Sequence, residues 1–288
     1  MIKRITEVGV AVNSVENAAK TFTDLFTGER SGLHTSKNYP MIYEMVRLGN
    51  IDFELMEPLD QNSIIAKFLK KHGEGLHHIA FEVSDIDKSI DWLLQKGVRI
   101  INERPITVKN LKAIFLAPMS FGGVLIELIE GNPTWIEGRI LPSQLKTQSK
   151  PQSIGVEGIL EVGIIIRDLE ATSAFYSNAF LCKNSEIFGF KHLSLRMQIC
   201  RVGNVSLNLI EMENTNYLSD LTVNNTIGLH HITLKVRSIE NAVTCLRQKG
   251  IAFIEDPLPA SCDPKAIFIH PIALNGVLIR LTEGIHPY

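Results

Sequence analysis

Hydrophobic and polar residues alternate in a pattern that recurs along this chain. The segments EVGVAVNSVENAAK from Glu7 and HIAFEVSDIDKSID from His78 superpose, and each predicts an alternating apolar strand followed by a helix. Ser14 and Asp85 stand at the start of these helices, where their side chains can accept hydrogen bonds from free backbone amides. Strand-like runs separated by Gly or Asn follow the helices: MIYEMVRL, IDFELME, RIINE, AIFLAP and VLIELIE. The pattern therefore predicts βαβββ modules and an α+β fold.

A longer repeat indicates that the chain is internally duplicated. The strings GLHHI, KAIF, QKG and GVLI each occur twice, and each second copy follows the first by 153 residues. Between the copies, the stretch after position 141 is rich in Pro, Ser, Gln and Lys, which is typical of a linker. We therefore expect a first domain at 1–131, a linker at 132–156 and a second domain at 157–288, with two modules in each domain.

Composition and charge narrow the range of partners. Of the 288 residues, 45% are hydrophobic and 21% are charged, as in an ordinary globular protein, and the formal net charge is −2. Because there is no dense block of Lys and Arg, we expect small-molecule partners and neither nucleic acid nor an anionic membrane. The N-terminus lacks the pattern of an export signal, no apolar run reaches the length of a membrane helix, and the four cysteines form no CxxC pair. These features predict a soluble cytoplasmic protein with reduced cysteines.

Paired βαβββ modules with a charged residue or His on their first and last strands resemble the vicinal-oxygen-chelate superfamily, which includes glyoxalases, bleomycin resistance proteins and dioxygenases. Residues 5–131, with GLHHIAFEVSDID, QKGVRIINERP and GGVLIELIE, are closely similar to its methylmalonyl-CoA epimerase branch, and residues 157–284 resemble the superfamily more distantly. The resemblance implies two tandem domains of this fold. It also implies one metal ion between the two modules of a domain, held by the first and last strand of each module.

The resemblance implies four metal ligands in the first half. Glu54, His78 and Glu127 match three ligand positions, whereas Glu7 occupies a first-strand position where the superfamily usually has His or Gln. A carboxylate within an apolar strand loses its hydration on burial, and a divalent cation would compensate for that loss. Three carboxylates and one imidazole favour Mn²⁺ or Mg²⁺ and leave Co²⁺, Ni²⁺ and Zn²⁺ open. The structural alternative for each Glu is a solvent-facing strand residue, and strand alternation predicts His77 on the opposite face from His78.

The second half carries altered residues at the corresponding positions. These are Glu161, Asn208, His231 and Arg280. A guanidinium at position 280 is permanently charged, so we expect it to repel a metal ion and to pair with Glu161. This half is therefore predicted to be metal-free. Because members of the resembled superfamily commonly work as dimers, the resemblance implies that this half imitates a second subunit within one chain. Ligand binding by this half and association of two chains stay open.

The resemblance implies a reaction that begins with proton abstraction beside a carbonyl polarised by the metal. An epimerase needs two groups that flank the reacting carbon, and Glu127 is the candidate for one of them. The epimerase signature has a Glu-Gln-Gly turn before its third strand, but here residues 37–40 read Lys-Asn-Tyr-Pro. Glu44, on the next strand, is the candidate replacement, with a solvent-facing structural residue as the alternative.

Several functions remain open at this point. The favoured one is a metal-dependent isomerase, epimerase or lyase that acts on an acyl-CoA thioester or a keto acid, with methylmalonyl-CoA epimerisation as the specific hypothesis. Extradiol dioxygenation needs iron held by two His and one carboxylate, and Glu7 in place of the first His argues against it. A protein that sequesters a small molecule without chemistry is the alternative from a different class. The altered ligands of the second half and the missing Glu turn support that alternative.

Overall fold

The computed structural model of the protein describes residues 2–108, 110–131, 153–212, 227–256 and 265–284. The elements of the first half are β1 (Ile2–Ala11), α1 (Val15–Leu25), β2 (Glu29–Arg30), β3 (His34–Thr35), β4 (Met41–Leu48), β5 (Ile51–Pro58), α2 (Ile64–His72), β6 (Gly75–Val83), α3 (Ile86–Gln95), β7 (Ile106–Val108), β8 (Leu111–Leu116) and β9 (Leu125–Glu130). Those of the second half are β10 (Val156–Ile166), α4 (Leu169–Phe180), β11 (Lys183–Asn184), β12 (Phe188–Phe190), β13 (Leu195–Val202), β14 (Val205–Met212), β15 (Gly228–Val236), α5 (Ile239–Gln248), β16 (Phe253–Glu255), β17 (Ile267–Ile269) and β18 (Leu278–Thr282).

Each half folds into one nine-stranded sheet. In the first half the order is β2-β4-β5-β1-β6-β9-β8-β7, with β3 added beside β4. The two modules meet where β1 pairs with β6 in antiparallel fashion, while β5 runs parallel to β1 and β9 runs parallel to β6. The second half repeats this order as β11-β13-β14-β10-β15-β18-β17-β16, with β12 beside β13. The predicted α+β fold with tandem domains is confirmed.

Two local predictions differ from the structure. The run RIINE at 99–103 forms no strand and contributes only an isolated bridge between Ile100 and Leu116, because the partner of β8 begins later, at Ile106. Helix α2, between the two modules, was not predicted. Ser63 caps this helix by accepting a hydrogen bond from the amide of Ala66 at 3.1 Å.

Strand alternation separates a core face from a concave face in the first sheet. On β1, Val8 and Val10 are fully buried and pack against the helices, whereas Glu7 and Gly9 lie on the other face. Helix α1 begins at the predicted cap, Ser14, and turns a fully buried apolar stripe that includes Phe22 toward the core. Burial of such a side chain contributes roughly 2 kcal/mol. The core therefore holds the sheet from one side and leaves the concave face open for a site.

The two halves pack together through contacts that occur in equivalent pairs. The side chain of Asn50 accepts a hydrogen bond from the amide of Ile159 at 2.9 Å, and Asn204 accepts one from the amide of Ile5 at the same distance. Apolar residues of both halves belong to one continuous core. The predicted linker lies outside the described residues up to position 152, and strand β10 begins within its last residues, at Val156. Among the described residues, no helix is long and apolar enough to cross a membrane.

Candidate metal centre

A β-bulge on the strand β6 brings two imidazoles to the same face of the sheet. Gly9 of β1 pairs with His78, but the next residue of β1, Val10, pairs with Leu76, so that His77 is the extra residue of the bulge. The Nδ1 atoms of His77 and His78 lie 3.0 Å apart, and both side chains line the same cavity. The prediction that His77 lies on the opposite face is therefore wrong, because the bulge interrupts strict alternation.

The His78 ring occupies the space above Gly9. A Cβ atom at position 9 would lie only 2.1 Å from Cε1 of the ring, so a side chain there is incompatible with this position of His78. The ring also contacts Phe115 in an edge-to-face arrangement, with centroids 5.5 Å apart. These contacts hold the imidazole over the junction between the two modules.

Four predicted side chains converge at this point. Nε2 of His78 lies 3.5 Å from Oε1 of Glu7, 3.6 Å from Oε2 of Glu54 and 3.6 Å from Oε2 of Glu127. Ligand atoms of Glu7, Glu54 and His78 all lie within 4.8 Å of one another, which makes these three the compact cluster and Glu127 its neighbour on β9. All four side chains are at least largely buried, with 2–12% of their surface exposed.

Burial shifts the protonation of this cluster strongly. It raises the pKa of Glu7 to about 8, with a further contribution from the charge of Asp52, and raises that of Glu54 to about 8 with help from the charge of Glu7. Burial and then the two other carboxylates raise the pKa of Glu127 well above its ordinary value. Burial lowers the pKa of His78, although the charge of Glu54 opposes this shift. In the absence of a cation, the carboxyl groups therefore hold protons near neutral pH and the imidazole is neutral.

The donor set fits a divalent cation. Nε2 of His78 is buried and forms no hydrogen bond, although it faces three carboxyl groups. Such an atom costs about 1–3 kcal/mol unless something satisfies it. A divalent cation would satisfy the imidazole and keep the carboxylates charged at the same time, and oxygen-rich donors with one nitrogen suit several such ions. Glu7, Glu54 and His78, with Glu127 beside them, are thus the residues that could hold it.

The second predicted base, Glu44, lies outside this site. It is 1% exposed, and Nε and Nη2 of Arg30 each donate a hydrogen bond to its carboxylate at 2.8 Å. Glu44 pairs in register with Leu55 of β5, a core residue, and therefore faces the helix side of the sheet. The hypothesis that Glu44 is a catalytic base requires the opposite face, so the structure corrects it. The alternative of a solvent-facing residue is also wrong, because this glutamate is buried in an ion pair.

The cluster forms the floor of a cavity of about 310 Å³. Apolar residues dominate its walls, and most of them lie on β7, β8 and β9 or just before them: Ile101, Ile106, Leu111, Ala113, Phe115, Leu125 and Ile129. Among the described lining residues, the carboxyl groups are those of Glu7, Glu54 and Glu127. An apolar pocket with a few convergent polar groups at its floor is typical of a small-molecule site.

Sequence reasoning missed several residues around the cavity. Tyr39 and Tyr43 line it from the segment before β4 and from β4 itself. Asp52 lies two residues before Glu54 on β5, is 5% exposed, and accepts a 2.6 Å hydrogen bond from Nε of Arg47. The sequence MIYEMVRL contained a signal for Tyr43. Successive residues of a strand face opposite sides of the sheet, so either Tyr43 or its neighbour Glu44 must face the cavity. Only the strand register decides which one.

The second half retains the geometry of the site and replaces its chemistry. Gly163 lies below the ring of His231 with the same 2.1 Å clash distance that separates Gly9 from His78. At the fourth position, Arg280 is 2% exposed and places Nη1 3.7 Å from Oε2 of Glu161, which is the ion pair expected from the sequence. Its stronger partner is Asp256, which accepts a hydrogen bond from Nε at 2.6 Å and was not predicted. A guanidinium thus stands at the position corresponding to Glu127.

Comparisons with known proteins agree with this tandem fold. The model of the Glyoxalase/Bleomycin resistance protein/Dioxygenase superfamily matches residues 6–115 and 161–268. The chain is 34% identical over 131 residues to the ethylmalonyl-CoA/methylmalonyl-CoA epimerase of Cereibacter sphaeroides, covering 44% of this chain and 98% of that protein. It is 35% identical over 127 residues to mitochondrial methylmalonyl-CoA epimerase of Homo sapiens, covering 43% of this chain and 72% of that protein. A solved structure of a 4-hydroxymandelate synthase mutant from Streptomyces coelicolor covers 100% of this chain and is itself covered to 94%, with a TM-score of 0.73 at 15% identity, a likeness of fold.

Proposed function

The chain belongs to the glyoxalase/bleomycin resistance protein/dioxygenase superfamily, and from this premise we propose that its first half is a divalent-metal-dependent isomerase, epimerase or lyase. The proposed reaction is abstraction of a proton beside a carbonyl group. The observation that carries this proposal is the buried Nε2 of His78, which forms no hydrogen bond and lies 3.5–3.6 Å from three carboxyl groups at the floor of a cavity. Glu7, Glu54 and His78 would hold the ion, with Glu127 as an additional ligand.

A divalent ion bound there would supply a Lewis acid that polarises a carbonyl oxygen of the substrate. Residues of the chain would exclude water, orient the substrate and remove the proton. The apolar walls exclude water and orient the acyl or keto group, and Glu127 reaches the floor from the strand β9 at the edge of the cluster. Glu127 is the residue that we propose as the base, because it is a buried carboxylate outside the compact trio.

The identity of the substrate is proposed from the relatives. Two of them are named as epimerases of methylmalonyl-CoA, one of these also of ethylmalonyl-CoA. We therefore propose an acyl-CoA thioester as the substrate class and methylmalonyl-CoA as the first compound to test. A keto acid is the second class, since it too presents neighbouring oxygens to a cation at the floor.

The test is exchange of the α-proton in deuterated water. Protein loaded with a divalent ion is incubated with racemic methylmalonyl-CoA and with other acyl-CoA thioesters, and deuterium at the α-carbon is measured by mass spectrometry. The proposal predicts exchange by the wild-type protein and by His231→Ala, which removes the equivalent imidazole of the second half. His78→Ala should lose exchange and metal together. Absence of exchange with any acyl-CoA or keto compound, despite stoichiometric metal, would overturn the proposed reaction.

The second candidate is a protein that binds a small molecule without chemistry. The observation that favours it is the placement of Glu44, the predicted second base, in an ion pair with Arg30 on the other face of the sheet. A sequestering protein would bind an acyl or keto compound in the cavity and leave its α-proton unexchanged. The deuterium measurement therefore separates the two candidates.

A further inference from the structure

Epimerisation requires proton transfer on both faces of the reacting carbon, and this requirement singles out the strand β4. The compact cluster takes one side chain from each of three adjacent strands, Glu54 from β5, Glu7 from β1 and His78 from β6. Strand β9 borders this trio on one side and carries Glu127, while β4 borders it on the other. A group on β4 that faces the cavity would therefore oppose Glu127 across the cluster.

The residue of β4 that meets this condition is Tyr43. It pairs in register with Met56 of β5, and both side chains line the cavity. The adjacent residue, Glu44, pairs with the core residue Leu55 and faces away. The ring of Tyr43 is half-buried and packs beside His34, with ring centroids 5.4 Å apart, so that its position is defined from the strand β3 as well.

A second phenol, Tyr39, lines the cavity but lies nearer to Glu127. Burial is the main cause that raises the pKa of both tyrosines, and the charges that add to it differ. For Tyr39 the added charge is that of Glu127, whereas for Tyr43 it is that of Glu54 and then Glu7. The rings of Tyr39 and Phe115 of β8 meet edge to face with centroids 6.5 Å apart, so Tyr39 lies on the β8–β9 side of the cluster, whereas Tyr43 lies on β4 at the opposite side. Both phenols stay protonated near neutral pH and can act as proton donors.

We infer that Tyr43 is the second catalytic residue and that it delivers a proton to the face of the substrate opposite Glu127. This inference rests on the proposed function. In the step, the α-C–H bond breaks, its proton goes to the carboxylate of Glu127, and the electron pair moves onto the carbonyl oxygen. The O–H bond of Tyr43 then breaks and its proton forms the new C–H bond on the other face. Tyr43 afterwards takes up a proton and Glu127 releases one to solvent, so no other reactant is needed.

The test uses Tyr43→Phe with Tyr39→Phe as its matched comparison. Both substitutions remove one hydroxyl from the cavity wall and keep the ring. Each purified enantiomer of a thioester that the wild type epimerises is incubated in deuterated water, and inversion and deuterium content are measured separately. Metal content and thermal stability are measured on the same samples. In Tyr43→Phe, inversion should fall by about 100-fold or more, since positioned acid–base groups contribute on that scale. One enantiomer, the one whose proton faces Glu127, should still exchange with retained configuration, and the metal content should be unchanged.

The outcomes separate this inference from the proposed function. If the wild type exchanges neither enantiomer, the proposed function fails and the role of Tyr43 fails with it. If the wild type epimerises and Tyr43→Phe inverts at the same rate, exchanges both enantiomers equally or exchanges neither, Tyr43 is not the second group. Loss of inversion in Tyr39→Phe alone would also overturn the assignment and move it to the β9 side. One-sided exchange in Tyr43→Phe is the result that supports it.

Discussion

Replacement of Glu54 by Gln should stabilise the metal-free protein at pH 8. The pKa of Glu54 is about 8 in the folded protein, mainly because the carboxyl group is buried, compared with 4.5 for the free side chain. The folded state therefore holds this proton more tightly than the unfolded state does. Between pH 4.5 and pH 8, Glu54 ionises in the unfolded state but keeps its proton in the folded state. Ionisation therefore stabilises only the unfolded state over this range, and the free energy of unfolding falls as the pH rises. Gln has a similar shape and does not titrate.

The size of this effect follows from the two pKa values. Compared with a side chain that stays neutral, Glu54 lowers the free energy of unfolding by about 4 kcal/mol at pH 8 and by about 2 kcal/mol at pH 6. The stability of Glu54→Gln relative to the wild type should therefore rise by about 2 kcal/mol between pH 6 and pH 8. A divalent cation should reverse the order, because it stabilises only the protein that keeps the carboxylate.

Urea denaturation in the presence of a chelator measures this difference, with the slope of the transition compared between variants. The matched control is Glu44→Gln, which makes the same substitution at a buried glutamate on the neighbouring strand. Glu44 accepts two 2.8 Å hydrogen bonds from Arg30, so its replacement should destabilise the protein by roughly 2 kcal/mol. If Glu54→Gln lowers the midpoint at pH 8 as much as Glu44→Gln does, the inference that Glu54 is an uncompensated buried acid is refuted.

Three further predictions concern the architecture of the site and of the halves. Gly9→Ala should abolish metal binding, measured by elemental analysis, because the new methyl group would lie 2.1 Å from the imidazole ring of His78. Gly163→Ala makes the same collision with His231 in the second half and should leave the metal content unchanged. Arg280→Met should lower the free energy of unfolding by about 3 kcal/mol in urea denaturation without changing metal content, because it removes a buried guanidinium from beside the buried carboxylates of Asp256 and Glu161. Asn50→Ala and Asn204→Ala should each lower the free energy of unfolding by about 1–3 kcal/mol, measured by urea denaturation, and the two losses should be similar. Each substitution leaves one backbone amide at the contact between the halves without its acceptor.

Repetition and family resemblance account for the features that the sequence predicted. The duplicated strings predicted two equivalent halves, which the repeated strand order confirms. The resemblance to the superfamily singled out Glu7, Glu54, His78 and Glu127, and the structure brings these side chains together. Each of the four lies on a strand, where the period of two decides which face a side chain occupies.

The features that sequence reasoning missed depend on pairing between segments that are distant in the sequence. The bulge that turns His77 toward the cavity arises from the register between β1 and β6, and alternation within β6 alone predicts the opposite. Glu44 was assigned to the correct strand and the wrong face, since the pairing with Leu55 of β5 decides its direction. The buried partner of Arg280, Asp256, lies 24 residues before it, just after β16, and only the order of strands in the sheet brings the two side chains together.

The proposed site needs the imidazole of His78 and the surrounding carboxylates to hold one divalent cation. Its occupancy can be measured by elemental analysis of protein that has been saturated with a divalent metal and freed of excess ion. We expect one ion per chain for the wild type and for His231→Ala, and none for His78→Ala. The site is disproved if the wild-type protein retains no ion, or if His78→Ala retains a full equivalent.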